Sequence, residues 1–129
     1  GGIYEDERIS LELTDFRYGV NYPLGGVSFT ASKVAYFEFC NKLPDVFNLN
    51  MKNRDFILTD NKNQSYSNMS RSHINTGGWN ISGNINPGVC DTFNVPYDGG
   101  VPADIDYFII SLDDFSSLGD LAWIINVEN

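Results

Sequence analysis

VAYFEFC, at residues 34–40, is the stretch that decides the fold, because aromatic and β-branched side chains at this density favour an extended strand. We expect the strand to end within residues 41–45, which contain Pro44. Apolar residues alternate with other residues on both sides of it, at Ile9, Leu11 and Leu13 before it and at Phe47, Leu49 and Met51 after it. An apolar period of two is typical of a β-strand. The first half of the chain therefore predicts successive strands.

Short apolar segments separated by turn-forming residues continue to the end of the chain. They lie at residues 55–59, 79–81, 92–95, 107–112 and 121–127. About eight short strands with frequent turn signals indicate a sandwich or a barrel. Helical periodicity is confined to residues 67–74 and 114–118, and both segments are too short for a stable helix. We expect one all-β domain over residues 1–129, an antiparallel β-sandwich of about seven to nine short strands with at most one short helix.

The net charge of −9 is distributed unevenly along the chain. Residues 1–71 contain nine acidic and eight basic side chains, whereas residues 72–129 contain eight acidic side chains and no lysine or arginine. A surface of this sign repels nucleic-acid phosphates and anionic lipids, so we expect no nucleic-acid partner. The apolar runs are far shorter than the roughly 20 residues of a membrane-spanning helix, so we expect no membrane insertion. The charge suits a cationic partner or a divalent cation.

Cys40 and Cys90 allow three interpretations. A disulfide between them would close a loop of about 50 residues and would indicate an oxidising, extracytoplasmic compartment. Two buried free thiols would serve packing alone. A reactive thiol would need His73, the single histidine, as its base. We favour the disulfide because each cysteine lies at the end of a strand-like segment, where two sheets can be bridged.

Four aspartates in the acidic half of the chain are candidate metal ligands. Asp104 and Asp106 would share one face of an extended segment, and Asp113 and Asp114 directly follow residues 107–112. If these carboxylates converge at one end of a sandwich, they could hold Ca²⁺, which prefers about six to eight oxygen ligands. They could also act as the acid–base pair of a glycosidase. Solvated charges that discourage edge-to-edge aggregation are the interpretation we favour.

Other conspicuous residues have structural explanations. Asp60 precedes a run of turn formers, and we expect its carboxylate to accept hydrogen bonds from turn amides rather than to bind a metal. Trp79 and Trp123 are expected in the core, with sugar stacking on an exposed face as the alternative. The sequence contains neither a Gly-x-Ser-x-Gly nucleophile elbow nor a glycine-rich phosphate loop. We therefore predict no catalytic and no cofactor-binding residues.

Two blocks of sequence resemble a known family. FILTDNKNQSY, at residues 56–66, has the order strand, aspartate, turn and tyrosine, and it is followed by Ile85-Asn86-Pro87-Gly88 and by Phe93-Asn94-Val95-Pro96. Over residues 9–112 this order resembles bacterial immunoglobulin-like domains of unknown function, which are found on lipoproteins and secreted proteins and are sometimes labelled as telomeric-repeat-binding. The resemblance implies an immunoglobulin-like sandwich, a cell-surface or periplasmic location and a binding or scaffolding role. It implies no catalytic residues.

Two functions are compatible with these observations. The first is a non-enzymatic extracytoplasmic immunoglobulin-like module that binds a protein or a surface glycan, or serves as a spacer. It would act through loops at one end of the sandwich or through strand addition to an open edge. The second is a small acidic ligand-binding or hydrolytic domain that uses a divalent cation such as calcium. Calcium is an expected cofactor under the second function alone.

Overall fold

The computed structural model describes residues 2–24, 27–68 and 80–127, and most of them form antiparallel β-strands. No helix among these residues is long and apolar enough to cross a membrane. The predicted all-β antiparallel sandwich is confirmed. The ten strands of the described chain are β1 (Ile3–Glu5), β2 (Ile9–Leu24), β3 (Val27–Asn41), β4 (Phe47–Lys52), β5 (Ile57–Asp60), β6 (Ser65–Tyr66), β7 (Asn80–Ile85), β8 (Cys90–Tyr97), β9 (Tyr107–Phe115) and β10 (Gly119–Asn126).

Strand length and number differ from the sequence-based prediction of about seven to nine short strands. β2 and β3 have 16 and 15 residues, and they pair with each other as far as Leu24 and Val27. Two prolines lie inside strands, Pro23 in β2 and Pro96 in β8, although proline cannot donate a hydrogen bond to a β-ladder. β8 is the edge strand of its sheet. At Pro23, β2 pairs only with β3 among the described strands. A proline is tolerated at such positions because no second neighbouring strand needs its missing N–H.

Helical structure in the described residues is limited to two 3₁₀ turns, Asn53–Asp55 and Ser116–Leu118. The second turn falls within residues 114–118, where the sequence predicts a single turn. Of the other predicted helical segment, residues 67–74, only the first two are among the described residues. Both turns lie beside the groove that is the candidate functional site below.

Two four-stranded sheets and one two-stranded sheet enclose a single main core. Their strand orders are β1-β2-β3-β8, β10-β9-β5-β6 and β4-β7. The apolar residues of β2 and β4 that alternate in the sequence face this core, and Phe37 of β3 lies at its centre. The Phe37 ring centroid is 5.1 Å from that of Trp123 and 5.0 Å from that of Phe56. Trp123 is therefore a core residue, as predicted, whereas Trp79 lies outside the described residues.

A disulfide bond joins Cys40 and Cys90. The two residues stand directly opposite each other in the β3–β8 ladder, so the bond links neighbouring strands of one sheet. The expectation that it bridges two sheets is wrong, because the strand ends that carry the cysteines belong to adjacent strands. Neither cysteine is a free thiol, so the free-thiol and reactive-thiol interpretations do not apply. The bond closes a loop across a sequence separation of 50 residues, which contains strands β4 to β7.

Candidate functional site

The candidate site is a groove that forms where two neighbouring segments of chain separate. β5 pairs with β9 as far as the pair Ile57 and Ser111. Immediately before Ile57, the 3₁₀ turn Asn53–Asp55 redirects the chain, and β4 pairs with β7 instead of β9. Beyond Ser111, β9 therefore continues without a partner strand on its β5 side among the described strands. We call the resulting wedge the β4–β9 groove.

The lining of the β4–β9 groove shows that strand edges form its walls. The cavity has a volume of about 440 Å³, and its walls include five consecutive residues on each side, Phe47–Met51 and 112–116. Successive side chains of a strand point to opposite faces, so a wall made of consecutive residues is the edge of the strand rather than its face. Arg54, Asp55 and Ile57 complete the lining.

The groove has an apolar floor and a polar rim. Leu49, Met51, Leu112 and Phe115 are buried and contribute to the main core. The rim consists of exposed polar side chains, which are Asn48, Asn50, Arg54, Asp55, Asp113, Asp114 and Ser116. The part of the lining that the structure describes thus carries three carboxylates and one guanidinium. A volume of several hundred Å³ with an apolar base and a few polar groups is typical of ligand-binding clefts.

The β9 wall of the groove has an unusual backbone. Asp114 and Ser116 have φ angles of 53° and 51°, in the left-handed region that side chains other than glycine rarely occupy. The Asp114 amide donates a hydrogen bond of 2.9 Å to the Asp120 carboxylate. The β9–β10 register shifts between Gly119 and Leu121 at the same place. Such irregularities redirect side chains next to binding sites, and here they border the position of Asp113 and Asp114.

The four predicted metal-ligand candidates lie in two separate places. Asp113 and Asp114 line the groove, whereas Asp104 and Asp106 precede the other end of β9. The six residues 107–112 of β9 lie between Asp106 and Asp113, and the seven steps from one aspartate to the other correspond to roughly 23 Å. Asp104 lies in a turn rather than an extended segment, and its carboxylate is 3.6 Å from the Lys62 ammonium. The two pairs therefore do not converge.

One group of three potential metal ligands occurs in the described part of the chain. It consists of Glu38, Cys40 and Cys90. Both sulfur atoms belong to the disulfide, so neither is a thiolate that could bind a metal. His73, the base required by the reactive-thiol interpretation, lies outside the described residues.

The sequence-based interpretation missed a buried lysine. Lys33 is 0% exposed, and its ammonium donates hydrogen bonds to the Ser32 hydroxyl at 2.8 Å, the Asp98 carbonyl at 3.1 Å and the Gly100 carbonyl at 2.5 Å. Burial lowers the pKa of Lys33 to about 8, against the opposing charge of Asp98. The sequence indicates this burial in one way, because Lys33 lies two residues before buried Ala35 and so falls on the same face of the strand.

Buried Asp60 and half-buried Tyr66 form a polar pair next to Lys33. The Asp60 carboxylate accepts hydrogen bonds from the Lys62 amide at 2.8 Å and the Gln64 amide at 3.1 Å, as the sequence predicts. It also accepts one from the Tyr66 hydroxyl at 2.6 Å. Burial raises the pKa of Asp60, but these hydrogen bonds outweigh that effect and hold the pKa below its ordinary value. Burial and Asp60 raise the pKa of Tyr66 to about 12.

The cluster of Lys33, Asp60 and Tyr66 holds the loop of residues 98–100 in place. The Lys33 ammonium lies 4.3 Å from the centroid of the Tyr66 ring and holds two carbonyls of residues 98–100. A second cavity, of about 410 Å³, is lined by residues 64–67 and by Asp98, Gly99 and Pro102. Three hydrogen bonds occupy the three donors of the ammonium, and two of them tie residues 98–100 to β3.

Comparisons with known proteins give similarity of fold. No protein-family model matches the chain, and no curated protein matches it significantly in sequence. The YjhA protein of Bacillus subtilis superposes with a TM-score of 0.59 at 13% identity, over 99% of this chain and 97% of that one. YcdA, a candidate lipoprotein of Bacillus subtilis subsp. subtilis strain 168, superposes with a TM-score of 0.59 at 12% identity, over 96% of this chain. The chain spans 38% of the YcdA chain.

Proposed function

We propose that the domain is a non-enzymatic, extracytoplasmic immunoglobulin-like module that binds its partner in the β4–β9 groove. The observation that carries the proposal is the groove itself, an open cleft between two strand edges with an apolar floor and a polar rim. A rigid β-framework that presents an irregular segment beside such a cleft is a common arrangement in binding domains.

Two observations support a cell-surface or periplasmic location. The Cys40–Cys90 bond requires an oxidising compartment to persist, and such bonds are rare in cytosolic proteins. The fold is shared with YcdA, which is named as a candidate lipoprotein.

The placement of the carboxylates supports a binding module over a calcium-dependent domain. A calcium site needs about six to eight converging oxygen ligands. The aspartate pair at the groove and the pair 104 and 106 stand at opposite ends of β9. At the groove, Asp113 and Asp114 instead form a charged rim above apolar side chains, which suits recognition of a partner surface.

A groove-filling substitution tests the proposed function. Asn50 is exposed on β4 and lines the groove, so Asn50→Trp introduces a large ring into the cleft. Thr92→Trp places the same ring at an exposed position on β8 and serves as the matched control. The assay is co-sedimentation of each purified protein with the cell-envelope fraction of the source organism, after circular dichroism has shown that both variants are folded.

We expect the wild type and the Thr92→Trp variant to sediment with the envelopes, and the Asn50→Trp variant to bind at least about tenfold more weakly. Equal binding of the Asn50→Trp variant and the wild type would refute the groove as the binding site. If the wild-type protein does not bind envelopes at all, the binding function itself is refuted.

A further inference from the structure

We propose that the partner is a protein that adds an extended, basic peptide segment to the open strand edges of the β4–β9 groove. The inference rests on the proposed function and specifies its ligand. It follows from three properties of the groove, which are its exposed main-chain edges, its alternation of floor and rim, and its charge.

The main-chain edges come first. β4 is hydrogen-bonded to β7, and its other edge borders no strand in the described ranges. β9 loses β5 as a neighbour after Ser111, while β10 still pairs with its other side as far as Phe115. Among the described strands these two edges are unpaired and can present N–H and C=O groups toward the groove, except for the Asp114 amide, which donates to the Asp120 carboxylate. An extended peptide can satisfy such groups, which is the basis of recognition by strand addition.

The dimensions and the two-sided lining fit a short strand. The β4 wall contains five consecutive extended residues, Phe47–Met51, which corresponds to roughly 17 Å and accommodates about five residues of an added strand. The β9 wall is extended only as far as Asp113, because Asp114 and Ser116 have positive φ angles. The side chains of that strand would alternate between two environments. One set would face the apolar floor, where Leu49 and Leu112 are buried, and the other set would face the rim, where Asp113 is exposed. The groove therefore selects alternating apolar and polar residues.

The charge of the rim determines the sign of the polar residues. Among the described residues that line the groove, three carboxylates, Asp55, Asp113 and Asp114, accompany one guanidinium, that of Arg54. The chain as a whole carries a charge of −9, and residues 72–129 contain no lysine or arginine. Complementary charge accelerates association and disfavours partners of the same sign. Lysine or arginine at alternate positions of the ligand is thus favoured, and binding is expected to weaken with salt.

The burial of Phe115 and Trp123 favours a peptide over a glycan as the ligand of the groove. Sugar recognition uses aromatic rings that are open to solvent as stacking platforms. Phe115, one of the two aromatic residues of the groove lining, is buried against the core, and its ring contacts Phe39 at a centroid distance of 6.1 Å. Trp123 is also buried. The apolar floor is formed mostly by aliphatic side chains, which suit valine and threonine of an added strand.

The test uses an acetylated eight-residue peptide, KTKVKTKV, and isothermal titration calorimetry at low and at physiological salt. One comparison peptide has glutamate in place of lysine. Another carries N-methyl groups on alternate backbone amides, which removes the donors of one strand edge without changing the side chains. On the protein side, the variant Asp113→Asn/Asp114→Asn removes two rim charges, and asparagine tolerates the left-handed backbone at position 114. The variant Asp104→Asn/Asp106→Asn removes the same charge at the far end of β9.

We expect the lysine peptide to bind and the glutamate and N-methylated peptides to bind at least about tenfold more weakly. The variant at positions 113 and 114 is expected to weaken binding about fivefold, and the variant at positions 104 and 106 by less than about twofold. Equal binding of the N-methylated peptide would overturn strand addition. Equal effects of the two aspartate variants would overturn binding at the groove.

Peptide binding and envelope binding are measured separately, so a wrong peptide assignment can be told from a wrong binding site. If KTKVKTKV does not bind but Asn50→Trp still abolishes envelope binding, the groove is a binding site and the peptide assignment is wrong. Envelopes pretreated with protease or with a peptidoglycan hydrolase identify the class of ligand. Loss of binding after protease supports a protein partner, whereas loss after the hydrolase alone overturns it in favour of a glycan.

Discussion

Removal of the disulfide gives the most quantitative expectation for the stability of this fold. The perturbation is the double substitution Cys40→Ser/Cys90→Ser. In the chain-entropy model, a cross-link over 50 residues stabilises the folded state by about 4 kcal/mol, because it restricts the unfolded chain. For a chain of 129 residues this loss corresponds to a decrease in Tm of roughly 15 °C. The native contacts should be retained, since the β3–β8 ladder already places the two residues opposite each other.

The assay is urea unfolding followed by tryptophan fluorescence, with calorimetry for Tm. A reducing agent added to the wild type is the matched control, and it should reproduce the stability of the double variant while leaving the variant itself unchanged. A loss of less than about 1 kcal/mol would refute the reasoning, because it would mean that the unfolded chain is already restricted without the bond. A reducing agent that also destabilises the variant would show that its effect does not act through the disulfide.

Three further perturbations probe the buried polar groups. The folded-state pKa of Lys33 is about 8, below the ordinary 10.5, so the unfolded state binds more protons between these two values. The free energy of unfolding should therefore rise from pH 8 to about 9.5, by up to about 1.4 kcal/mol per pH unit. Urea unfolding of the Lys33→Met variant should lack this slope, and an unchanged slope would disprove the assignment to Lys33. Tyr97→Phe removes a buried hydrogen bond of 2.8 Å to the Phe56 carbonyl, and thermal unfolding should show a loss of about 1–3 kcal/mol, whereas no loss would indicate that water replaces the hydroxyl. Tyr66→Phe removes a hydrogen bond to the Asp60 carboxylate and so raises the lowered pKa of Asp60. The variant should be less stable than the wild type above pH 4, and this difference should shrink as the pH falls through the folded-state pKa of Asp60. A difference in stability that does not depend on pH would contradict the role of the carboxylate.

The alternating segments were the most predictable part of this fold. Ile9, Leu11 and Leu13 face the core in the structure as their period of two predicts. Strand ends were less predictable, because Pro23 and Pro96 are tolerated only where no further strand needs their N–H. That condition depends on sheet order, which local sequence does not determine.

The candidate site was predictable in part. Asp113 and Asp114 stand out because they end an apolar segment, but the groove beside them depends on β4, which is about 60 residues earlier in the chain. Its formation depends on the turn Asn53–Asp55, which separates β4 from β9. Lys33 was missed because a lysine within an apolar alternation is ordinarily assigned to the exposed face. Its burial requires the carbonyls of residues 98–100, which are distant in sequence.

The position of the disulfide also determines how the domain would respond to a pulling force. If the two ends of the chain are drawn apart, the segment between Cys40 and Cys90 cannot extend, since tension passes directly through the bond. A separation of 50 residues corresponds to roughly 170 Å of contour length that stays coiled even after complete unfolding. This protected segment contains strands β4, β5 and β6. It therefore also contains the wall of the groove that β4 provides. Under a pulling force the domain would therefore keep one wall of the β4–β9 groove free of load until the sulfur–sulfur bond is reduced.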